Sequence, residues 1–249
     1  MPSPDTPGYH DFYRTNRGGG LFSEAVSQRL GAVVALVAAR TGVRPTTLTL
    51  LNLVLGLAIS AAVVWWAPRA AAGELPMWAL GLGALVGWQL AYAIDCADGQ
   101  LARVTGQTSS AGARVDILVD VAAQIALVAA IAAVAVAYEP ETPVWLVAVF
   151  TGTWMVNLVA SVLQSGANAS SMITSASLPV RLGKLIRDYG AVVFACGLVL
   201  MLVPQLTHWL VVAVSLVNGG FLLASIAHSA RTAYRETAQR ATAQRETSA

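Results

Sequence analysis

From about residue 47 to residue 229 the chain is a succession of long apolar stretches, broken by short segments that carry charge, proline or glycine. Crossing a bilayer core takes about 20 mainly apolar residues. Windows of that kind fall at 47–67, 76–96, 113–137, 143–164, 186–204 and 207–229. They read as six transmembrane helices, because an isolated strand in lipid would leave its peptide groups without hydrogen bonds. Residues 21–41 follow a different pattern: Phe22, Val26, Leu30, Val33, Val34 and Val37 recur at helical spacing while Glu24, Gln28 and Arg29 interrupt the first half. This predicts an N-terminal interfacial amphipathic helix lying in the headgroup plane, with a short re-entrant or core helix as the alternative. The expected organisation is an all-α integral membrane protein: a polar N-terminus (1–20), the interfacial helix (21–41), one six-helix membrane domain (47–229) and a polar tail (230–249) with a partly repeated T-A-Q-R.

Composition supports lipid as the solvent. The chain is 56% hydrophobic and 11% charged, against roughly 25% charged in soluble domains. A formal net charge of +2 gives no sign of a nucleic-acid partner. Cys96 and Cys196 each lie in or beside an apolar run and read as packing residues. The polar, proline- and glycine-bearing start does not resemble a secretory signal, so membrane entry is expected to use retained helices. With six spans, fourteen of the fifteen Lys and Arg residues fall on one side and Arg69 alone on the other, where Glu74, Glu139 and Glu141 also lie. Positively charged loops stay cytoplasmic, so both termini are expected on the cytoplasmic face of the cell membrane.

Against this apolar background, Asp95, Asp98, Asp116 and Asp120 stand at the ends of the second and third windows. A carboxylate at the membrane edge costs several kcal/mol unless it is paired, hydrated or bound to a cation, so such a cluster marks a functional site. The spacings i, i+3 and i, i+4 put each pair on one helical face, and antiparallel neighbouring helices would bring the pairs together. Converging carboxylates repel unless positive charge intervenes, and hard oxygen ligands suit Mg²⁺ or Mn²⁺. Gly99 and Gly112 permit close backbone approach, and Arg103 supplies a cation able to grip phosphate.

The run Asp95-Cys-Ala-Asp98-Gly99-Gln-Leu-Ala102-Arg103, then eight residues, then Gly112-Ala-Arg-Val-Asp116-Ile-Leu-Val-Asp120 resembles the signature of the CDP-alcohol phosphotransferase family at every defining position. The resemblance implies that an acceptor hydroxyl attacks the phosphorus on the lipid or alcohol side of a CDP-linked donor, releasing CMP. It implies two divalent ions, Mg²⁺ or Mn²⁺, with Asp95, Asp98 and Asp116 as primary ligands and Asp120 as a second-metal ligand or the general base. Gly99, Ala102, Arg103 and Gly112 would form the nucleotide side, and a homodimer would be the assembly. A weaker element is Pro45-Thr46-Thr47-Leu48-Thr49, where relatives often show Pro-Asn, two residues, then Thr. Here Thr46 replaces the Asn, leaving Pro45 and Thr49 as nucleotide-side positions or as ordinary helix-start chemistry.

On the acceptor side, Arg181, Lys184 and Arg187 fall at i, i+3 and i+6, either holding the phosphate of inositol phosphate or glycerol phosphate or anchoring the chain to anionic lipid. The favoured reading is CDP-diacylglycerol as donor and a small polar alcohol as acceptor, in phospholipid biosynthesis. The alternatives are a CDP-alcohol donor with a lipid acceptor such as diacylglycerol, and a cation- or proton-coupled transporter. His208 and His228 read as packing positions. Trp65, Trp66, Trp78, Trp145 and Trp209 suit an aromatic belt, Trp88 and Trp154 suit interior packing, and Gly83-x-x-x-Gly87 permits close helix approach.

Overall fold

The computed structural model describes residues 7–16, 20–165 and 188–247. Among the described residues it is all-helical, with 87% in helix and no strand. The helices are α1 (Tyr9–Arg14), α2 (Gln28–Thr41), α3 (Pro45–Ala71), α4 (Met77–Val104), α5 (Ser110–Tyr138), α6 (Val144–Ser165), α7 (Tyr189–Leu202) and α8 (Thr207–Thr247), with a π-helical turn at Ser23–Ser27 and a 3₁₀ turn at Pro204–Leu206. Among the described residues, four segments are long and apolar enough to cross a membrane, namely Pro45–Ala71, Met77–Val104, Ser110–Tyr138 and Pro204–Tyr234. Two further apolar helices, Val144–Val159 and Tyr189–Leu202, are shorter.

The boundaries have local causes. Pro45 opens α3 at its first position, where its missing N–H costs nothing. At the start of α5 the Ser109 side chain accepts the Gly112 N–H at 3.0 Å, and Asp188 caps α7 through the Ala191 N–H. α7 stops before Pro204, whose ring disfavours helical geometry in Val203. α4 runs past the apolar window ending at 96 because Ala, Gln, Leu and Arg are good helix formers whatever the solvent. The whole 95–103 motif is therefore helical.

α4 lies at the centre and packs on α2, α3 and α7. The main core joins Val63, Trp88, Val128, Ile131, Phe150, Leu200 and their neighbours, and a second cluster joins Phe12, Ala32, Ala35, Leu48, Ile94 and Leu101 beneath α1 and α2. Small residues set the closest approaches. A Cβ on Gly81 would stand 2.4 Å from the Met201 backbone, and one on Gly197 2.7 Å from Leu85 Cα. Of the predicted Gly83–Gly87 pair, Gly87 packs on Ile59 while Gly83 meets open space.

The 21–41 stripe divides by size. Gly31, Ala32, Ala35 and Ala38 are buried, with Gly31 against Ala93 and Cys96 of α4, while Leu30, Val33 and Val37 remain half-exposed. The small side chains let α2 come close to α4, so the larger ones point away. Trp65, Trp66, Trp78, Trp145 and Trp209 are exposed, whereas Trp88 and Trp154 are buried and donate to Ser60 Oγ (3.1 Å) and Gln124 Oε1 (2.9 Å). His208 pairs its Nδ1 with Thr142 Oγ1 at 2.9 Å, joining α8 to the loop before α6.

Candidate functional site

α4 and α5 are joined by a tight turn that needs Gly106 at φ 69, a left-handed conformation that side chains resist. Beyond the turn both helices pack more closely along α3 than on each other. The space left between them is where the acidic residues meet. Asp95, Asp98, Gly99, Ala102 and Arg103 follow one face of α4, and Gly112, Asp116, Asp120 and Gln124 one face of α5.

Carboxylate oxygens of Asp95, Asp98 and Asp116 all lie within 4.8 Å of one another. Asp120, one turn deeper along α5, meets Asp95 side chain to side chain. α3 supplies two donors from the opposite side: Thr49 Oγ1 reaches Asp98 Oδ2 at 2.5 Å, and Asn52 Nδ2 reaches Asp95 Oδ1 at 3.0 Å. Arg103 folds back over its own helix, its Nη1 2.9 Å from where a Gly99 Cβ would stand, and its charge acts on Asp116. Gly99 thus makes room for the guanidinium.

A cavity of about 660 Å³ opens from Asp95 and Asp120 into the helix bundle. Tyr92, Gln124, Trp154, Asn157, Tyr189 and Asn218 give it polar points, and apolar residues of α7 and α8 form much of the rest. Asn157 and Asn218 bond to each other at 3.3 Å across α6 and α8.

A family model for CDP-alcohol phosphatidyltransferase matches residues 42–219, a stretch that spans all four aspartates, the α3 donors and the cavity lining. The chain belongs to the CDP-alcohol phosphatidyltransferase family. No curated protein matches it. Family membership makes it a transferase of substituted phosphate groups, acting in phosphatidyl transfer from a CDP-alcohol in phospholipid biosynthesis.

The family is divalent-metal dependent in general, and the residues present fit such an ion. Three carboxylates converge, Asp98 is only 6% exposed, and two α3 side chains donate to carboxylate oxygens of Asp98 and Asp95, an arrangement that orienting groups take in metal sites. A cluster of carboxylates that are buried or half-buried needs positive charge to balance it.

The predicted nucleotide-side residues divide in the structure. Gly99, Ala102 and Arg103 share the aspartates' face of α4. Gly112 lies at the start of α5, its N–H held by Ser109. Pro45 forms the first turn of α3, and its carbonyl oxygen accepts from Thr49 Oγ1 at 3.2 Å. The Thr49 hydroxyl is therefore directed to Asp98 and to its own helix. Arg181, Lys184 and Arg187 lie outside the described residues. Sequence reasoning missed Asn52, whose signal was a lone amide one turn beyond Thr49 in an apolar helix, and Gln124, one turn beyond Asp120.

Proposed function

We propose that this transferase moves a phosphatidyl group from CDP-diacylglycerol to the hydroxyl of a small polar alcohol such as inositol phosphate or glycerol phosphate, releasing CMP. The observation that carries this reading is the convergence of Asp95, Asp98 and Asp116 oxygens within 4.8 Å, beside a cavity shared by Asp95 and Asp120. Asp95, Asp98 and Asp116 hold the metal, and Asp120 either completes a second site or takes the acceptor's proton. A divalent ion such as Mg²⁺ or Mn²⁺, held by these carboxylates, would supply positive charge to offset that of the diphosphate and of the leaving CMP. The new bond joins the acceptor oxygen to the lipid-side phosphorus while the hydroxyl proton passes to Asp120, or to solvent water where Asp120 is engaged in a second metal site. The bond from that phosphorus to the bridging oxygen breaks, and CMP leaves with its electron pair.

Arg103 supports the diphosphate, while Gly99, Ala102 and Gly112 let the nucleotide approach the backbone, near Pro45 and Thr49. Thr49 and Asn52 fix the rotamers of Asp98 and Asp95. Arg181, Lys184 and Arg187 take the acceptor's phosphate. The positive-inside charge distribution supports six spans with both termini and the site at the cytoplasmic face, the amphipathic pattern of 21–41 supports its lying along the membrane surface, and the family resemblance supports a homodimer.

Two measurements bear on the details. Asn52→Leu keeps the branched outline of the side chain but removes the donor to Asp95, and is expected to raise the Mg²⁺ concentration for half-maximal CMP release by about tenfold, the usual scale for an orienting group. An unchanged metal titration would separate Asn52 from the site. Replacing Arg181, Lys184 and Arg187 together by Ala is expected to raise the acceptor KM more than the donor KM. Equal changes would remove the acceptor assignment.

The reading as a whole is tested by reconstituting the protein in vesicles with labelled CDP-diacylglycerol, Mg²⁺ and a panel of alcohols. A labelled phospholipid formed with inositol phosphate or glycerol phosphate is expected. Product formed only from a CDP-alcohol and diacylglycerol would reverse the donor and acceptor.

A further inference from the structure

Tyr92 and Tyr189 wall the cavity beside Asp95, and both belong to a buried joint that the transfer chemistry leaves unused. At its centre is Asp188, 2% exposed. Its Oδ2 accepts the backbone N–H of Phe22 at 2.8 Å and of Ser23 at 3.0 Å. Its Oδ1 accepts the Ser23 hydroxyl, and the Ala191 N–H at 3.4 Å. Ser23 Oγ also lies 3.1 Å from the Tyr92 hydroxyl. One carboxylate therefore joins the segment before α2, the start of α7 and, through Ser23, the cavity face of α4.

The surroundings are shaped for this contact. A Cβ on Gly20 would stand 2.1 Å from Asp188 Oδ2, and one on Gly190 2.8 Å from Ser23 Oγ and 3.0 Å from the Tyr92 ring. Gln89 Nε2 donates to the Gly190 carbonyl at 2.9 Å, a second tie between α4 and the start of α7. The Tyr92 and Tyr189 rings meet edge to face at 4.9 Å, and Phe22 packs on Phe194 at 5.2 Å. The contacts span 165 and 166 positions of sequence, and the segment they capture begins outside the part of the chain matched by the family model.

We propose that Asp188 is a positioning residue for the transfer reaction: by clamping Gly20–Ser27 against α4 and α7, it holds Tyr92 and Tyr189 as the wall on which a substrate rests beside Asp95. A carboxylate suits the task because it offers acceptor lone pairs to all four donors. An asparagine offers one acceptor oxygen, and its NH₂ would face the remaining donors. Asp188 does not contact the four aspartates in any of these bonds, so its action on the reaction runs through the tyrosines. The inference rests on the four aspartates being the reacting centre.

The test separates positioning from mere stability. In purified protein, with the KM of CDP-diacylglycerol and of the acceptor alcohol measured separately, Asp188→Asn is expected to raise one of the two about tenfold, with kcat within about threefold of wild type. Tyr92→Phe, which removes the hydroxyl facing Ser23, is expected to raise the same KM. The double variant should be no worse than Asp188→Asn alone, because the two changes break one chain of contacts. Ser23→Ala breaks the same chain with a smaller change and decides the matter if Asp188→Asn does not fold. A purely structural role would lower the active fraction, so kcat would fall with KM unchanged. That result in the foldable variants, or additive effects on KM, would overturn the proposal. Wild-type activity in Asp95→Asn would instead overturn the placement of the reacting centre.

Discussion

Asp116→Asn is expected to lower CMP release by at least about a thousandfold while the protein still inserts and unfolds near the wild-type temperature. The substitution keeps the shape of the side chain and removes one negative charge from three carboxylates whose oxygens converge within 4.8 Å. Phosphoryl transfer depends mainly on positioning and electrostatic stabilisation, so losing a metal ligand removes most of the rate. Stability should survive, because an uncompensated carboxylate cluster costs the fold more than an amide in the same place. Asp116 is also the carboxylate on which Arg103 acts, so the amide should loosen the guanidinium over Gly99. Labelled CMP release and thermal unfolding of the purified variant in detergent check both halves. Activity within tenfold of wild type would remove Asp116 from the metal site.

The second large effect is structural. Gly81→Val is expected to prevent recovery of folded protein, or to destabilise it by more than about 3 kcal/mol, the upper end for added bulk in a packed interior. The added Cβ would stand 2.4 Å from both Cα and N of Met201 and 2.7 Å from the carbonyl carbon of Leu200. These are backbone atoms, so no rotamer change relieves the contact. α4 and α7 must separate, and both line the cavity. Gly83→Val, two residues away and facing open space, is the matched control and should remain folded. Thermal unfolding and size-exclusion profiles of the two variants decide the matter; equal stability would mean that α4 and α7 are not in close contact.

The contrast between those two glycines shows what the sequence could convey. A four-residue spacing flagged Gly83 and Gly87, but which glycine meets a neighbour depends on where α3 and α7 lie, and that is not a local property. The aspartates were legible because four charges persist at helical spacing where the surrounding pattern is apolar. Thr49 stood out in the sequence as a nucleotide-side candidate, but its contact with Asp98 was not legible, since the two lie 49 residues apart. Asn52 carried less signal still, because an isolated amide in an apolar helix has many uses and its partner Asp95 sits on another element.

The limits of the spans follow the same logic. Hydropathy marks where apolar residues run, whereas capping and proline decide where a helix ends. The window at 186–204 shortens to Tyr189–Leu202 because Asp188 caps one end and Pro204 breaks the other. The helix carrying Asp95 outlasts its apolar window by a further two turns, bringing Arg103 into the site. In 21–41 the large aliphatic residues set the amphipathic pattern, while Gly31 and the alanines make the contact with α4. Their small size kept them out of the stripe.

The central claim is that the four aspartates form a divalent-metal site for CMP-releasing transfer from CDP-diacylglycerol. Its most direct test is CMP release by purified wild-type protein in vesicles containing CDP-diacylglycerol and the acceptor identified by the panel, with the free Mg²⁺ or Mn²⁺ concentration varied by a chelator. Release should vanish on chelation, return when either metal is restored, and fail to return in Asp116→Asn. Full release in excess chelator, or full restoration by metal in Asp116→Asn, would contradict the account.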